Sequence, residues 1–280
     1  MDKYQIPSVA KACQLLQLLA ANSDGLSATH LEAELGLPRT TVFRLLKTLC
    51  AEALVEKRGK QFVSGPGMLN LGFQALQSDK LRQHAAVHVQ RLAQQSGLSV
   101  HLAVPNTDSS LIIEVCNASL QPKIASRPGV STLLHASATG KVFLAFRHFD
   151  ELERLFAGRY LTAMTCRTIT ELEPLRKDLK RVIALGYALD DREYHDEVRC
   201  LAVPIRDRSG LVVASLGCTG PASDLKGERL DAMVSGLKDG ASAIYRAVFQ
   251  RGAKGGEAPG NTSFLVTYGM QAPNPIMMGN

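Results

Sequence analysis

Apolar residues return at helical spacing in the first fifth of the chain. Val9, Ala12, Cys13, Leu15, Leu16, Leu19 and Ala20 share one face of a helix expected over residues 8–21. The turn formers Asn22, Ser23, Asp24 and Gly25 stop it. Ser27 suits the N-cap of a short second helix, with Leu31 and Leu35 on its inner face and Gly36 at its end. Pro38 fits the first turn of a third helix that runs to about Glu52. Its inner stripe is Val42, Leu45, Leu46 and Leu49, and Arg39, Thr40, Thr41, Arg44 and Lys47 take much of the remaining surface. Residues 54–57 and 61–63 read as a two-stranded hairpin turning at Arg58-Gly59-Lys60. Three helices followed by a basic hairpin describe a winged helix-turn-helix. The Gly-Pro-Gly at 65–67 marks a break before a further helix.

The rest of the pattern is mixed. Leu81, Ala85, Val89 and Leu92 line one face of a helix over 80–96, and strands are expected at 99–104 and 111–115 around the turn Asn106-Thr107-Asp108-Ser109. Helices follow at 138–147, 150–157 and 171–185. Strands at 198–206 and 211–219 flank Asp207-Arg208-Ser209-Gly210, and a last helix spans 224–249. Helices inserted among hairpins indicate an α+β domain around an antiparallel sheet. After Arg251 the composition shifts to six glycines and three prolines, so residues 251–280 are expected to be a disordered tail, within which Phe264-Leu265-Val266 can dock locally.

A hydrophobic fraction of 45% in 280 residues excludes a disordered chain, and no apolar run reaches the length of a membrane span. Six scattered cysteines without a CxxC pair read as reduced thiols in a cytoplasm, with no membrane partner. The net charge of +6 becomes informative through its location. Positions 39–60 hold six cations (Arg39, Arg44, Lys47, Lys57, Arg58 and Lys60) against Glu52 and Glu56. A solvated basic face on an ordinary bundle is the plainer explanation. The third helix nevertheless has the chemistry for a major groove: arginines for guanine, threonines for bases or phosphates, and lysines for phosphates. Ser27 joins these residues as a candidate contact to double-stranded DNA.

Several blocks resemble the IclR family of bacterial transcription regulators. They are Ser8-Val9-Ala10-Lys11-Ala12, Leu26-Ser27-Ala28-Thr29-His30-Leu31 and Leu35-Gly36-Leu37-Pro38-Arg39-Thr40-Thr41-Val42-Phe43-Arg44-Leu45-Leu46. Further blocks are Leu133-Leu134-His135-Ala136-Ser137-Ala138-Thr139-Gly140-Lys141, Gly186-Tyr187-Ala188-Leu189-Asp190-Asp191, Val198-Arg199-Cys200-Leu201-Ala202-Val203-Pro204 and Gly220-Pro221-Ala222-Ser223. Together they cover about 8–248. The resemblance implies a DNA-binding head (1–66), a connecting helix (67–82) and a GAF-like effector-binding domain (83–250). It implies effector contacts at Ala138, Thr139, Asp190, Cys200, Gly217 and Thr219. Family members often carry serine where this chain has Gly217, which points to a larger or less polar effector.

The residues themselves add to this. A helix starting near Ala138 leaves amide groups free for an anion, so a carboxylate is expected against Ala138, Thr139 and Gly140, with Leu134 in an apolar wall. Asp190 would repel that carboxylate but can accept a hydroxyl. Cys200 also fits a small core position, Asp190-Asp191 a turn cap, and Arg199 an internal ion pair. Thr139-Gly140-Lys141 lacks the glycine and hydroxyl of a phosphate loop. His84 and His88 have zinc spacing without a third ligand, and no nucleophile elbow appears. No catalytic residue, metal or cofactor is therefore assigned.

The expected protein is a regulator, repressor or activator, controlled by a small organic acid that is hydroxylated or aromatic. It would bind a partly palindromic operator as a homodimer or dimer of dimers, with RNA polymerase admitted as a further partner. An enzyme with an accessory basic head, or a DNA-binding protein without ligand control, are the alternatives.

Overall fold

The computed structural model describes residues 4–117 and 127–250. The chain divides into two compact units, at Asp79 and Lys80. The expected tail, with its Phe264-Leu265-Val266 segment, lies outside the described residues.

In the first unit, helices α1 (Pro7–Ala21), α2 (Ala28–Leu35) and α3 (Arg39–Ala51) enclose a small core. Leu15 and Leu19 meet Leu31, Val42, Leu46 and Leu49 there, so the periodic apolar positions are the packed ones. Ser27 caps α2 by accepting the His30 amide at 3.2 Å. Pro38 stands just before α3, at its N-cap, instead of inside the first turn. The wing is formed by β2 (Val55–Arg58) and β3 (Gln61–Ser64). It is a three-stranded sheet and not the expected hairpin alone, because β1 (Leu26–Ser27) pairs with β3. A two-residue strand carries too little pattern to be seen in sequence. Helix α4 (Pro66–Ser78) closes the unit and buries none of its residues.

The second unit begins with α5 (Lys80–Ser96) and continues through β4 (Ser99–Pro105), β5 (Ser109–Cys116), β6 (Ser131–Leu133) and α6 (Ala138–Arg147). A turn at Phe149–Glu151 and α7 (Leu152–Leu155) replace the single helix expected over 150–157. Then come α8 (Leu172–Leu185), β7 (Ala188–Asp191), β8 (Val198–Arg206), β9 (Val212–Pro221) and α9 (Gly227–Tyr245). The six strands form one antiparallel sheet in the order β6-β5-β4-β9-β8-β7. Leu216 points to Leu92 of α5 and Gly240 of α9. Its neighbour Gly217 faces the opposite side, as strand alternation requires. That side is covered by α6 and α8, whose Val142, Phe143, Leu175 and Leu179 pack on Ala103, Ala188, Ala202 and Val212. Among the described residues no helix is long and apolar enough to cross a membrane.

Candidate functional site

On α3, Arg39, Thr40, Phe43, Arg44 and Lys47 are exposed along one face, and Thr41 is half-buried beside them. Arg39, Arg44, Lys47 and the wing-tip Lys60 have no ion-pair partner among the described residues. Arg58 instead pairs with Glu56 at 3.0 Å, and the Lys57 ammonium stands 5.9 Å from the Phe62 ring centre. Unneutralised cations on a protruding helix and turn form an electrostatic footprint for a polyanion. Ser27 Oγ accepts the His30 amide in the α2 cap and keeps its hydroxyl proton to donate. Phe43, 65% exposed, was not among the expected contacts. The signal was available: it falls off the inner stripe of α3, and a phenyl ring suits the methyl of thymine.

The second site is a cavity of about 250 Å³ between the sheet and the start of α6. Register builds its floor: Asp190 pairs with Cys200, Cys200 with Thr219, and Ala202 with Gly217, which in turn pairs with His101. Residues far apart in sequence thus share one sheet face. Cys200 Sγ and Thr219 Oγ1 are 3.3 Å apart. Burial, helped by the Asp190 carboxyl, holds the Cys200 thiol well above its ordinary range, so it is a neutral wall.

Helix α6 supplies the polar end. Ser137 caps it by accepting the Gly140 amide at 3.1 Å, and the Lys141 amide goes to the Ser137 carbonyl. The amides of Ala138 and Thr139 have no partner among the described residues, and both residues line the cavity. Gly140 therefore does not offer a third amide. Its role is close packing: a Cβ there would lie 2.5 Å from both the Cα and the carbonyl oxygen of Leu134. Leu134 itself turns into the α6–α8 core and is not a cavity wall. Gly217 also stays behind the surface, because the His101 ring covers it: a Cβ would meet Nε2 at 2.6 Å. The apolar walls are Ile112, Val130 and Val198.

Asp190, 1% exposed, accepts the amides of Glu193 at 2.7 Å and Tyr194 at 3.3 Å through one oxygen. Burial nevertheless dominates and pushes its carboxyl up to about 7. Simple repulsion of a carboxylate is thereby corrected, since the protonated form donates to an acid and the ionised form accepts a hydroxyl. Asp191, one residue on, accepts Arg199 Nε at 2.7 Å, so Arg199 is the internal ion-pair partner. The loop after β7 brings Tyr194 and His195 to the cavity. It is clasped where Thr165 Oγ1 donates to the Arg192 carbonyl at 2.7 Å and Thr168 Oγ1 to that of Glu193 at 2.6 Å. Neither loop residue, nor Thr132 and His101, lay in a motif that sequence reading picked out, and Ser137 lay in the 133–141 block without being singled out as a contact.

A winged head with an unneutralised basic face, joined in one chain to a domain holding a small, largely apolar cavity with a few polar groups, defines a DNA-binding regulator with an effector domain. The family model described as IclR helix-turn-helix domain matches residues 8–59, and the one described as Bacterial transcriptional regulator IclR C-terminal matches 73–246. The chain belongs to the IclR family of transcription regulators, and it is not an enzyme. The HTH-type transcriptional regulator KdgR of Escherichia coli K12 is 31% identical over 248 residues, which are 87% of this chain and 94% of the relative. The crystal structure of an IclR-type regulator from Alicyclobacillus acidocaldarius superposes with TM-score 0.76 at 27% identity, covering 88% of this chain and 100% of the other. An IclR homolog from Microbacterium hydrocarbonoxydans, crystallised with 4-hydroxybenzoate, shares the fold with TM-score 0.71 at 22% identity, covering 86% and 98%.

Proposed function

We propose that this regulator binds a partly palindromic double-stranded operator through residues 1–66 and is controlled by a small organic acid, hydroxylated or aromatic, held in the domain spanning 83–250. The observation that carries the effector half is the pair of unpartnered amides at Ala138 and Thr139, opening into the cavity beside the protonatable Asp190. A carboxylate placed on those amides gains two charge-assisted hydrogen bonds and the favourable end of the helix dipole. Thr219 adds a hydroxyl and Cys200 a neutral wall. At about 250 Å³ the cavity falls below the range of drug-sized pockets, a volume suited to a small ligand. The fold-level neighbour crystallised with 4-hydroxybenzoate is in keeping with such an acid.

On the DNA side, Arg39, Thr40, Thr41, Phe43, Arg44 and Lys47 enter the major groove, while Lys57, Arg58, Lys60 and Ser27 hold phosphates. One head spans one half-site, so the specific complex needs a homodimer or a dimer of dimers. Helix α4, the core of the connecting segment 67–82, exposes Leu69 and Phe73 one turn apart on one face, with Leu71 on the opposite side, and the Leu69–Phe73 face is suited to pairing with a second copy. Effector and operator are then coupled reciprocally through that segment. On this reading the protein works in the cytoplasm, beside the DNA. Isothermal titration of a bound acid into the parent and into Asp190→Ala tests the assignment. A 10- to 100-fold weaker affinity is expected, from the loss of a hydrogen bond to a charged group worth about 1.5–3 kcal/mol. Equal affinity would exclude Asp190 from the site.

A further inference from the structure

His101 interrupts the apolar run Val100–Pro105 of β4. It is 5% exposed, forms part of the cavity lining, and its Nδ1 is buried without a hydrogen-bond partner among the described residues. A buried ring nitrogen left unpaired is costly, and folded proteins rarely keep one unless something else satisfies it. Room for the ring has been made on purpose: it sits over Gly217 on the neighbouring strand, where any side chain would strike Nε2 at 2.6 Å. Gly217 therefore opens no extra volume for the effector. It seats an imidazole, and the floor beside Thr219 and Cys200 is aromatic and polar where a less polar one was expected.

We infer that His101, seated on Gly217, is the specificity-determining residue of the cavity, and that it recognises an uncharged hydroxyl on the acid by a hydrogen bond. This rests on the acid-binding reading above. Burial pushes the imidazole down to about 4, so it is neutral at physiological pH. A neutral ring offers one donor and one acceptor, which matches a hydroxyl. It gives no charge to a carboxylate, which leaves that end of the ligand to the α6 amides. His101 thus selects among acids and does not hold all of them.

Matched pairs of acids differing by one hydroxyl test this: 4-hydroxybenzoate against benzoate, and lactate against propionate. Each is titrated calorimetrically into the full chain and into His101→Phe, His101→Gln and Gly217→Ala. The parent is expected to favour the hydroxylated member of at least one pair by about tenfold. His101→Phe keeps an aromatic ring, somewhat larger than imidazole, but removes both nitrogens, so the ratio should fall to near one while the plain acid still binds. His101→Gln retains a donor and an acceptor and should keep part of the ratio. Gly217→Ala displaces the ring and should lose it. An undiminished ratio in His101→Phe overturns the role of His101 and leaves the acid site standing. Binding of none of the four acids by the parent overturns the acid reading and this inference together.

Discussion

Replacing Lys141 by methionine should destabilise the effector domain strongly. The Lys141 side chain is fully buried in α6, yet its ammonium lies 2.7 Å from Asp178 Oδ2, 2.6 Å from Glu193 Oε1 and 3.4 Å from the Leu189 carbonyl. Glu193 is itself nearly buried, and its Oε2 has no partner among the described residues, so Lys141 is its principal compensation. Methionine fills much of the same volume and leaves the carboxylate unpaired, a situation that costs about 3–5 kcal/mol. In a domain of this size each kcal/mol lowers the melting temperature by about 2–4 °C, so a drop of about 6–20 °C is expected. The pH dependence has a definite sign. Burial already pushes the Glu193 carboxyl up, and losing Lys141 pushes it further, so the penalty is full when Glu193 is ionised and shrinks as pH falls and it protonates. Adding Glu193→Gln should restore much of the loss, giving a coupling of about 1–3 kcal/mol in the double-mutant cycle. Urea unfolding of the four variants, followed by circular dichroism at two pH values, reads all of this. A drop below about 1 kcal/mol, or one that Glu193→Gln does not relieve, would refute the reasoning.

Arg44→Ala should weaken operator binding by about 1–3 kcal/mol and flatten base preference at one position, whereas Lys60→Ala should weaken all sequences alike and lower the salt slope by about one. Gel-shift titrations over a salt series distinguish the two, and parent-like binding by both would remove α3 and the wing from the interface. Asp190→Asn should change the pH profile of stability. With the carboxyl raised to about 7 from an ordinary value near 4, the parent loses up to about 4 kcal/mol relative to the variant as pH climbs through that window. His101 acts in the opposite sense, its neutral burial costing stability as pH falls from about 6.5 towards 4, but it is common to both proteins and cancels in the difference. Parallel parent and variant profiles across pH 4–7 would show that Asp190 is ionised throughout.

Periodicity carried the head well, because a three-helix core of Leu15, Leu19, Leu31, Val42, Leu46 and Leu49 leaves one stripe per helix and each stripe is readable alone. It carried the sheet less well. β4 was legible at 99–104 although it is buried along its whole length and shows no alternation, whereas β6 and β7 hold three and four residues, too few for a period to register. For the cavity, the resemblance supplied Ala138, Thr139, Asp190, Cys200 and Thr219, and strand register explains why these separated residues converge. Leu134 and Gly140 were placed by nearness in sequence to a helix start, and tertiary packing used them for the core instead. Gly217 and His101 form a pair across β4 and β9, so the meaning of the glycine became visible only once the histidine opposite it was known. A lone histidine in an apolar strand has no spacing to betray it.

On the proposed reading, a carboxylate on the α6 amides controls the operator-binding head. Fluorescence anisotropy of labelled operator measures it directly, with the full chain titrated by an acid that binds and by the corresponding amide. The acid should shift operator affinity in one direction by roughly 5- to 150-fold, the range of ordinary coupling energies, and the amide, lacking the charge, should shift it little. An acid that binds the protein without altering operator affinity, or an amide as effective as the acid, would contradict the account.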